Sequence, residues 1–387
     1  MRTEYIKKLA EMMDCDAMLI SPSEELRFFT GFSPMMCERF QALFVKKNGE
    51  CFYLCNTLYA DEVAEGLKHQ CPVYHWHDNE GMDKAYEILK NEGLEGKTIG
   101  VNSTAQAFNV LDIGKNCGIT FVNGKPLLEE VRIIKTHEEL ENMRLSARVA
   151  DSAFEKACAM IRPGITEAEV RDVIVGTMAE QGGCNFDCIV ASGPNSGYPH
   201  YNSFDRVIQE GDCIVLDWGC AINEMMSDLS RTVFVGSISD EQRRIYELVD
   251  RAQMTAQNTA RKGAFIPDID KAARDVLDEQ GYAHTLVNRV GHGIGYSVHE
   301  GPYINQINHR HLERGMCFSI EPGVYLGGRF GMRVLERGMC FSIEPGVYLG
   351  GRFGMRVENI VCINEKGETE VLNKADRSLR ILDWYRK

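Results

Sequence analysis

No run of about 18 apolar residues occurs in the 387-residue chain, so no segment is expected to cross a bilayer as a helix. The opening, MRTEYIKKLAEMMDCDAMLI, interleaves charges with apolar residues and lacks the apolar block of a secretion signal. Basic residues are outnumbered, 43 against 56 acidic, for a formal net charge of -13. No basic stripe stands out, which argues against a nucleic-acid partner. The 14 cysteines include no CxxC pair, although Cys184 and Cys188 are spaced CxxxC. Secreted disulfide scaffolds are short and this chain is long, so reduced thiols in a cytoplasmic protein are expected. What remains is ordinary globular composition, 44% hydrophobic and 26% charged, in a length that predicts about two domains.

The first part alternates strand and helix patterns, as an α/β domain does. DAMLI (16–20), ECFYLC (50–55) and KTIGVN (97–102) read as strands, and SPSEELRFFTGF as a turn followed by a short strand ending at Gly31. LYADEVAEGLK and MDKAYEILKNEG read as helices. NGKP at 123–126 is a turn signal, and a boundary near residue 130 divides the chain into domains 1–130 and 131–387. Beyond it, Thr136 with Glu139, Thr166 with Glu169 and Ser239 with Gln242 predict capped helix starts. CIVASG, CIVLDWG, LSRTVFVG, FSIEPGVYL and RVENIVCI predict strands. Helices on one face of a largely antiparallel curved sheet follow, an α+β domain.

Residues 312–334, LERGMCFSIEPGVYLGGRFGMRV, recur unchanged at 335–357. Solenoid repeats come in several diverged copies, so two identical ones mark a recent or artificial duplication. Removing one leaves 364 residues. Glu321 and Glu344 are the same motif residue in the two copies. The second copy is favoured, because EPGVYLGGRFGMRVEN can close locally through Gly350-Gly351. The entropic margin is small.

Asp217, Asp228, His292, Glu344 (or Glu321) and Glu358 each sit in a short apolar or Gly-rich segment. A carboxylate in such a segment costs several kcal/mol to bury unless neutralised, and a pair of divalent cations would neutralise several together. Hard oxygen ligands with one imidazole suit manganese, cobalt or zinc, which points to a two-metal hydrolase. Asp217 and Asp228 are placed at strand ends flanking a turn through 221–224; a turn-capping Asp and a surface Asp explain them equally well. GHGIGYSVHEGP (291–302) is more specific. Its glycines admit close backbone approach around His292, and His299 follows seven residues on. Glu358 has a plainer reading as a salt-bridge partner of Arg356 or Arg352. His200 ends the loop GPNSGYPH, where a surface role is as natural as a functional one.

Taken together, IVASGPNSGYPH, the Asp217-to-Asp228 segment ending SDLSRT, GHGIGYSVHEGP, FSIEPGVYL and GMRVEN resemble the pita-bread metallopeptidases, in the branch of Xaa-Pro dipeptidase and aminopeptidase P. DAMLISPSEELRFFTGF resembles the opening of that family's creatinase-like N-terminal domain. The resemblance implies a smaller α/β domain before a pita-bread catalytic domain, and two divalent metal ions, manganese first and cobalt or zinc as alternatives. It makes Asp217 a chelating ligand, Asp228 and Glu358 bridging ligands, and His292 with Glu344 (or Glu321) ligands of the second ion. Glu344 would also serve as general base, and His200 and His299 would position substrate and stabilise the tetrahedral state. The implied reaction is hydrolysis of peptides at Xaa-Pro bonds by a metal-bridging hydroxide. The implied partners are a peptide with proline at the second position and a second copy of the chain, with no nucleic acid and no membrane. Met225 stands where relatives commonly carry a tyrosine. Two other readings compete: a metal-dependent lyase or hydrolase of small molecules on the same fold, and a non-catalytic binding protein whose site the duplication has disrupted.

Overall fold

The computed structural model describes residues 1–198, 200–283, 286, 289–322, 325–326, 347–349 and 353–383. The chain divides into two compact units, Met1–Arg132 and Ile133–Lys387.

In the first unit a six-stranded sheet runs in the order Val73–Trp76, Cys51–Asn56, Ala42–Lys46, Ala17–Ile20, Thr98–Val101, Thr120–Asn123. Ala42–Lys46 is antiparallel to both neighbours and the other pairs are parallel. Phe44 and Phe52 stack across the antiparallel pair with ring centroids 4.8 Å apart. One expectation is corrected here. The segment read as a turn and a strand ending at Gly31 contains a helix, Glu24–Thr30. Ser23 accepts a hydrogen bond from Leu26 N, two glutamates occupy the first turn, and Gly31 ends the helix in the left-handed region at φ +75°. The adjacent Phe28 and Phe29 are both buried, so the pair that reads as strand belongs to a helix wedged into the interior.

The second unit pairs helices with sheets twice. Helices His137–Met160 and Glu167–Glu180 pack on a sheet ordered Arg380–Leu382, Leu229–Val235, Cys213–Ile222, Cys184–Ser192. Both helices begin with capping boxes, Thr136 with Glu139 and Thr166 with Glu169. Trp218 is buried against the first helix: its Nε1 donates to Ala150 O at 2.8 Å and its ring stacks on Phe154 at 6.0 Å. Helices Asp240–Thr259 and Ile266–Asp278 share a second core with a sheet ordered Glu300–Ile304, Gly291–Gly293, Cys317–Ile320, Asn359–Ile363, Thr369–Val371. In each sheet one set of alternate residues enters a core, Leu216 and Trp218 in one and Phe318 and Ile320 in the other. The intervening residues, Asp217 and Ser319, therefore turn the other way.

Both copies of the duplication contribute described strands. Cys317–Ile320 of the first copy lies inside the second sheet, antiparallel to Asn359–Ile363. Val347–Leu349 of the second copy pairs antiparallel with Phe353–Met355, as the local closure at 350–351 predicts. The identical dipeptides Tyr325-Leu326 and Tyr348-Leu349 pair in parallel.

Arg144, on the first long helix, grips Glu370 through Nε and Nη2, both at 2.7 Å. That hydrogen-bonded guanidinium holds the Glu370 carboxyl below its usual range against the opposing effect of burial. A carboxylate whose folded pKa is depressed stabilises the fold above its unfolded value and loses that contribution as pH falls through the folded one. Glu370→Gln is therefore expected to lower the unfolding free energy by about 1 kcal/mol at pH 7, a small value because the pair is partly solvated. The gap to the parent should close below about pH 4 in urea titrations; a gap independent of pH would refute the pairing as its cause.

Candidate metal centre

Asp217 lies mid-strand in Cys213–Ile222, opposite Ser230 on one side and Ile189 on the other. The expected placement at a strand end is thus corrected. The strand continues to Ile222 because Met225–Met226 folds back on residues 221–222, tightening the turn to Asn223-Glu224. Asp228 immediately precedes the strand Leu229–Val235. His292 lies in Gly291–Gly293, and Glu321 follows Cys317–Ile320. Glu358 precedes Asn359–Ile363.

These elements bring ligand atoms of Asp228, His292 and Glu358 within 4.8 Å of one another, all three residues buried. Glu321, wholly buried, has Oε1 3.1 Å from His292 Nε2. Asp228 Oδ2 lies 3.7 Å from the same nitrogen. Ser319 Oγ donates to Glu321 Oε1 at 2.7 Å and accepts from His292 N at 3.1 Å, so one hydroxyl sets both groups. His299 meets the His292 ring edge-on with centroids 4.2 Å apart. Close backbone approach explains the flanking glycines. A Cβ at position 291 would lie 2.0 Å from Ser319 O, and one at 293 would lie 2.0 Å from Gly301 O.

Asp217 joins the cluster through an arginine. The buried Arg356 pairs with Asp217 Oδ2, and its Nε donates to Ser230 Oγ at 2.8 Å. Ser230 Oγ donates in turn to Glu358 Oε2 at 2.7 Å. Arg231, 2% exposed, donates to the backbone carbonyls of Ser230, Glu358, Ala375 and Asp376 and to Asn359 Oδ1. Burial pushes its guanidinium down to about 10. Sequence reasoning gives neither arginine these duties; it offers Arg356 only as an ordinary partner of Glu358. The signal available is the register: pairing LDWG with LSRT places Ser230 across from Asp217. Glu344, which the sequence favours over Glu321, lies outside the described residues. His200 is half-buried beyond the turn Gly193–Gly197. Ser196 of that turn accepts from Gly354 N at 2.7 Å, on the strand leading into Arg356 and Glu358.

The donor chemistry fits divalent cations. Two carboxylates within 4.8 Å of each other repel by about 3 kcal/mol or more at an effective dielectric near 20, and Glu321 adds a third acid. A hard divalent ion bound by oxygens and one imidazole reverses that sign.

Residues 141–334 and 331–365 match the model of metallopeptidase family M24, two segments that meet inside the duplication. Residues 2–134 match the creatinase/prolidase N-terminal domain. The chain belongs to metallopeptidase family M24. The Xaa-Pro dipeptidase of Pyrococcus furiosus is 32% identical over 340 residues, covering 86% of this chain and 93% of that protein. The Xaa-Pro dipeptidase of Lactobacillus helveticus is 32% identical over 345 residues, covering 86% and 92%. Among solved structures, a dipeptidase from Pyrococcus horikoshii OT3 superposes with TM-score 0.84 at 33% identity, covering 99% of this chain and 100% of that one. A prolidase from Thermococcus sibiricus gives 0.86 at 28%, covering 99% of each chain.

The hairpin that carries His292 and His299 is anchored by a buried ion pair. Lys135 Nζ lies 2.6 Å from Glu300 Oε1, with both side chains 1% exposed. Lys135→Met would leave Glu300 buried without that cation and should cost about 3–5 kcal/mol in urea unfolding. Adding Glu300→Gln should recover part of the loss. A loss below about 1 kcal/mol in the single variant would show that the pair anchors nothing.

Proposed function

We propose that this metallopeptidase hydrolyses Xaa-Pro peptides, with a pair of divalent ions held by Asp217, Asp228, His292, Glu321 and Glu358. What carries the reading is the buried convergence of Asp228, His292 and Glu358 with Glu321 in a chain of this family. Bound metal supplies Lewis-acid polarisation of the substrate carbonyl and a lowered pKa for the attacking water.

The chain's own residues do the rest. Glu321 accepts the proton of the attacking water and returns it to the departing nitrogen, proline's own ring nitrogen, which is too basic to leave the tetrahedral state as an anion. Ser319 holds the Glu321 carboxylate in place for this. His299, packed against His292, donates to the oxygen that becomes negative in the tetrahedral state, and His200 orients the substrate. Arg356 pairs with the Asp217 carboxylate and, through Ser230, aims Glu358. Substrate preference for proline in the second position follows the names of the relatives. Manganese is the favoured metal, with cobalt and zinc tolerated by the same donors. A homodimer in the cytoplasm completes the proposal, supported for the compartment by the free state of the described cysteines.

Elemental analysis after loading with manganese, cobalt or zinc, together with rates on matched Xaa-Pro and Xaa-Ala dipeptides, tests this reading. Asp228→Asn and Glu358→Gln should lose metal, and chelation should abolish turnover until metal is restored. Metal at a hundredfold excess over its Kd should stabilise the fold by about 2.7 kcal/mol. Turnover that survives complete chelation, or equal rates on the two dipeptides, would refute the proposal.

The duplication offers a separate test of Glu321. Glu321→Gln should abolish metal uptake while Glu344→Gln leaves it intact. Excising either copy yields the same 364-residue sequence, which should keep both metal and activity. Loss of metal only in Glu344→Gln would assign the seat to the second copy.

A further inference from the structure

The loop that carries His200 is built around a carboxylate that no step of the proposed reaction uses. Glu167 opens the helix Glu167–Glu180, where an acidic side chain ordinarily sits in water near the helix dipole. Here it is completely buried. A carboxylate withdrawn from water needs donors, and Glu167 is ringed by them. Its Oε1 accepts from Ser192 N at 2.6 Å and from Ser192 Oγ at 2.7 Å. Asn195 Nδ2 lies 3.1 Å and 3.2 Å from its two oxygens. The phenol of Tyr201, next to His200, is pushed up by burial, by its hydrogen bond to Asp205 and by the charge of Glu167.

The network extends outward from Ser192. Its single hydroxyl proton goes to Glu167, so its oxygen accepts from Arg206 Nη1 at 2.6 Å. Asp212 secures Arg206 with both carboxylate oxygens, at 2.5 Å and 2.9 Å. The same helix start uses its backbone as well: Glu167 N donates to Arg206 O at 3.0 Å and Ala168 N to Phe204 O at 3.1 Å. The segment before His200 is thus gripped by the Glu167 side chain and the segment after it by the first amides of the helix. A surface loop needs no such buried charge, and the turn within it is stapled by Ser196 to the strand that leads into Arg356 and Glu358.

We propose that Glu167 is a positioning residue for substrate: through Ser192, Asn195 and the turn Gly193–Gly197 it fixes the backbone from which His200 engages the peptide. This rests on the role given to His200 above. Glu167→Gln keeps the shape but turns one acceptor into a donor facing other donors, so the loop must shift. A shift of about 1 Å can cost up to about 100-fold in rate.

A double-mutant cycle on the metal-loaded full chain tests it, with kcat/KM for an Xaa-Pro dipeptide, metal content and melting temperature measured for each variant. Glu167→Gln and His200→Ala should each lower kcat/KM about tenfold or more, with metal content at the parental level. The double variant should be no worse than His200→Ala alone within about threefold, because both changes remove one function. Ser192→Ala, a milder change, should show the same coupling if Glu167→Gln folds poorly. Losses that multiply in the double variants, or metal lost from Glu167→Gln, would overturn the positioning role while leaving that of His200 standing. Parental kcat/KM in His200→Ala would instead overturn the role of His200, and the inference with it.

Discussion

Several carboxylates share one buried cluster. Asp228 and Glu358 lie within 4.8 Å of each other and of the His292 imidazole, with Glu321 against the same ring. In an unconstrained chain such groups would separate into water, since each buried charge without compensation costs several kcal/mol. Their convergence has to be imposed by the surrounding packing, and much of the second unit can be read as the means of imposing it.

The imposing device is alternation. Two sheets each give one set of side chains to a core beneath a pair of helices, so the other set is driven the opposite way. Thr232 ties the first sheet to the stretch that leads into the second: its Oγ1 accepts from Arg356 N at 2.9 Å and donates to Arg356 O at 2.8 Å. Glu358 N donates to Ser230 O at 3.1 Å, one step further along. With the backbones zipped in that register, Asp217, Ser230, Arg356 and Glu358 meet by geometry. Arg231 then fixes the outgoing chain by donating to carbonyls on both sides of the junction, a use that matches its five fixed donors. A lysine there would supply fewer donors in a looser geometry.

What can be read from the sequence is local. The capping boxes of the long helices, the Gly-rich hairpin around His292 and the strand character of CIVLDWG each depend on residues within a few positions of one another. The acids stand out because their surroundings are apolar. Long-range facts are not legible in the same way. That Arg356 reaches Asp217, 139 positions away, depends on which strands become neighbours, and no local pattern states it. Glu167 looks like one more acidic residue in a first helical turn, and only the folded loop reveals its burial. The reading of the segment through Gly31 as strand fails for a related reason. Phe28-Phe29 favours extended structure on propensity, yet Ser23 and Gly31 cap a helix around it, and tertiary burial of both rings decides the outcome.

The duplication shows how sharply the site depends on such placement. Two identical 23-residue segments have identical propensities, so nothing intrinsic to either selects the one that supplies the glutamate. Lengthening a loop by one copy costs only about 1 kcal/mol, because closure entropy grows with the logarithm of length. The expectation of Glu344 rests on that small difference. Stronger forces act once strands are placed. Cys317–Ile320 has Asn359–Ile363 on one side and meets Gly291–Gly293 at Phe318 on the other, and Phe318 and Ile320 enter the second core. Each apolar side chain buried this way stabilises by about 1.5–3 kcal/mol, a gain open to either copy, so packing holds the central strand in place without depending on loop length. Whichever copy takes that central strand carries its glutamate to His292, because Ser319 and Glu321 follow the pleat set by their apolar neighbours. The glutamate set beside His292 is therefore positioned by hydrophobic packing one position away from it.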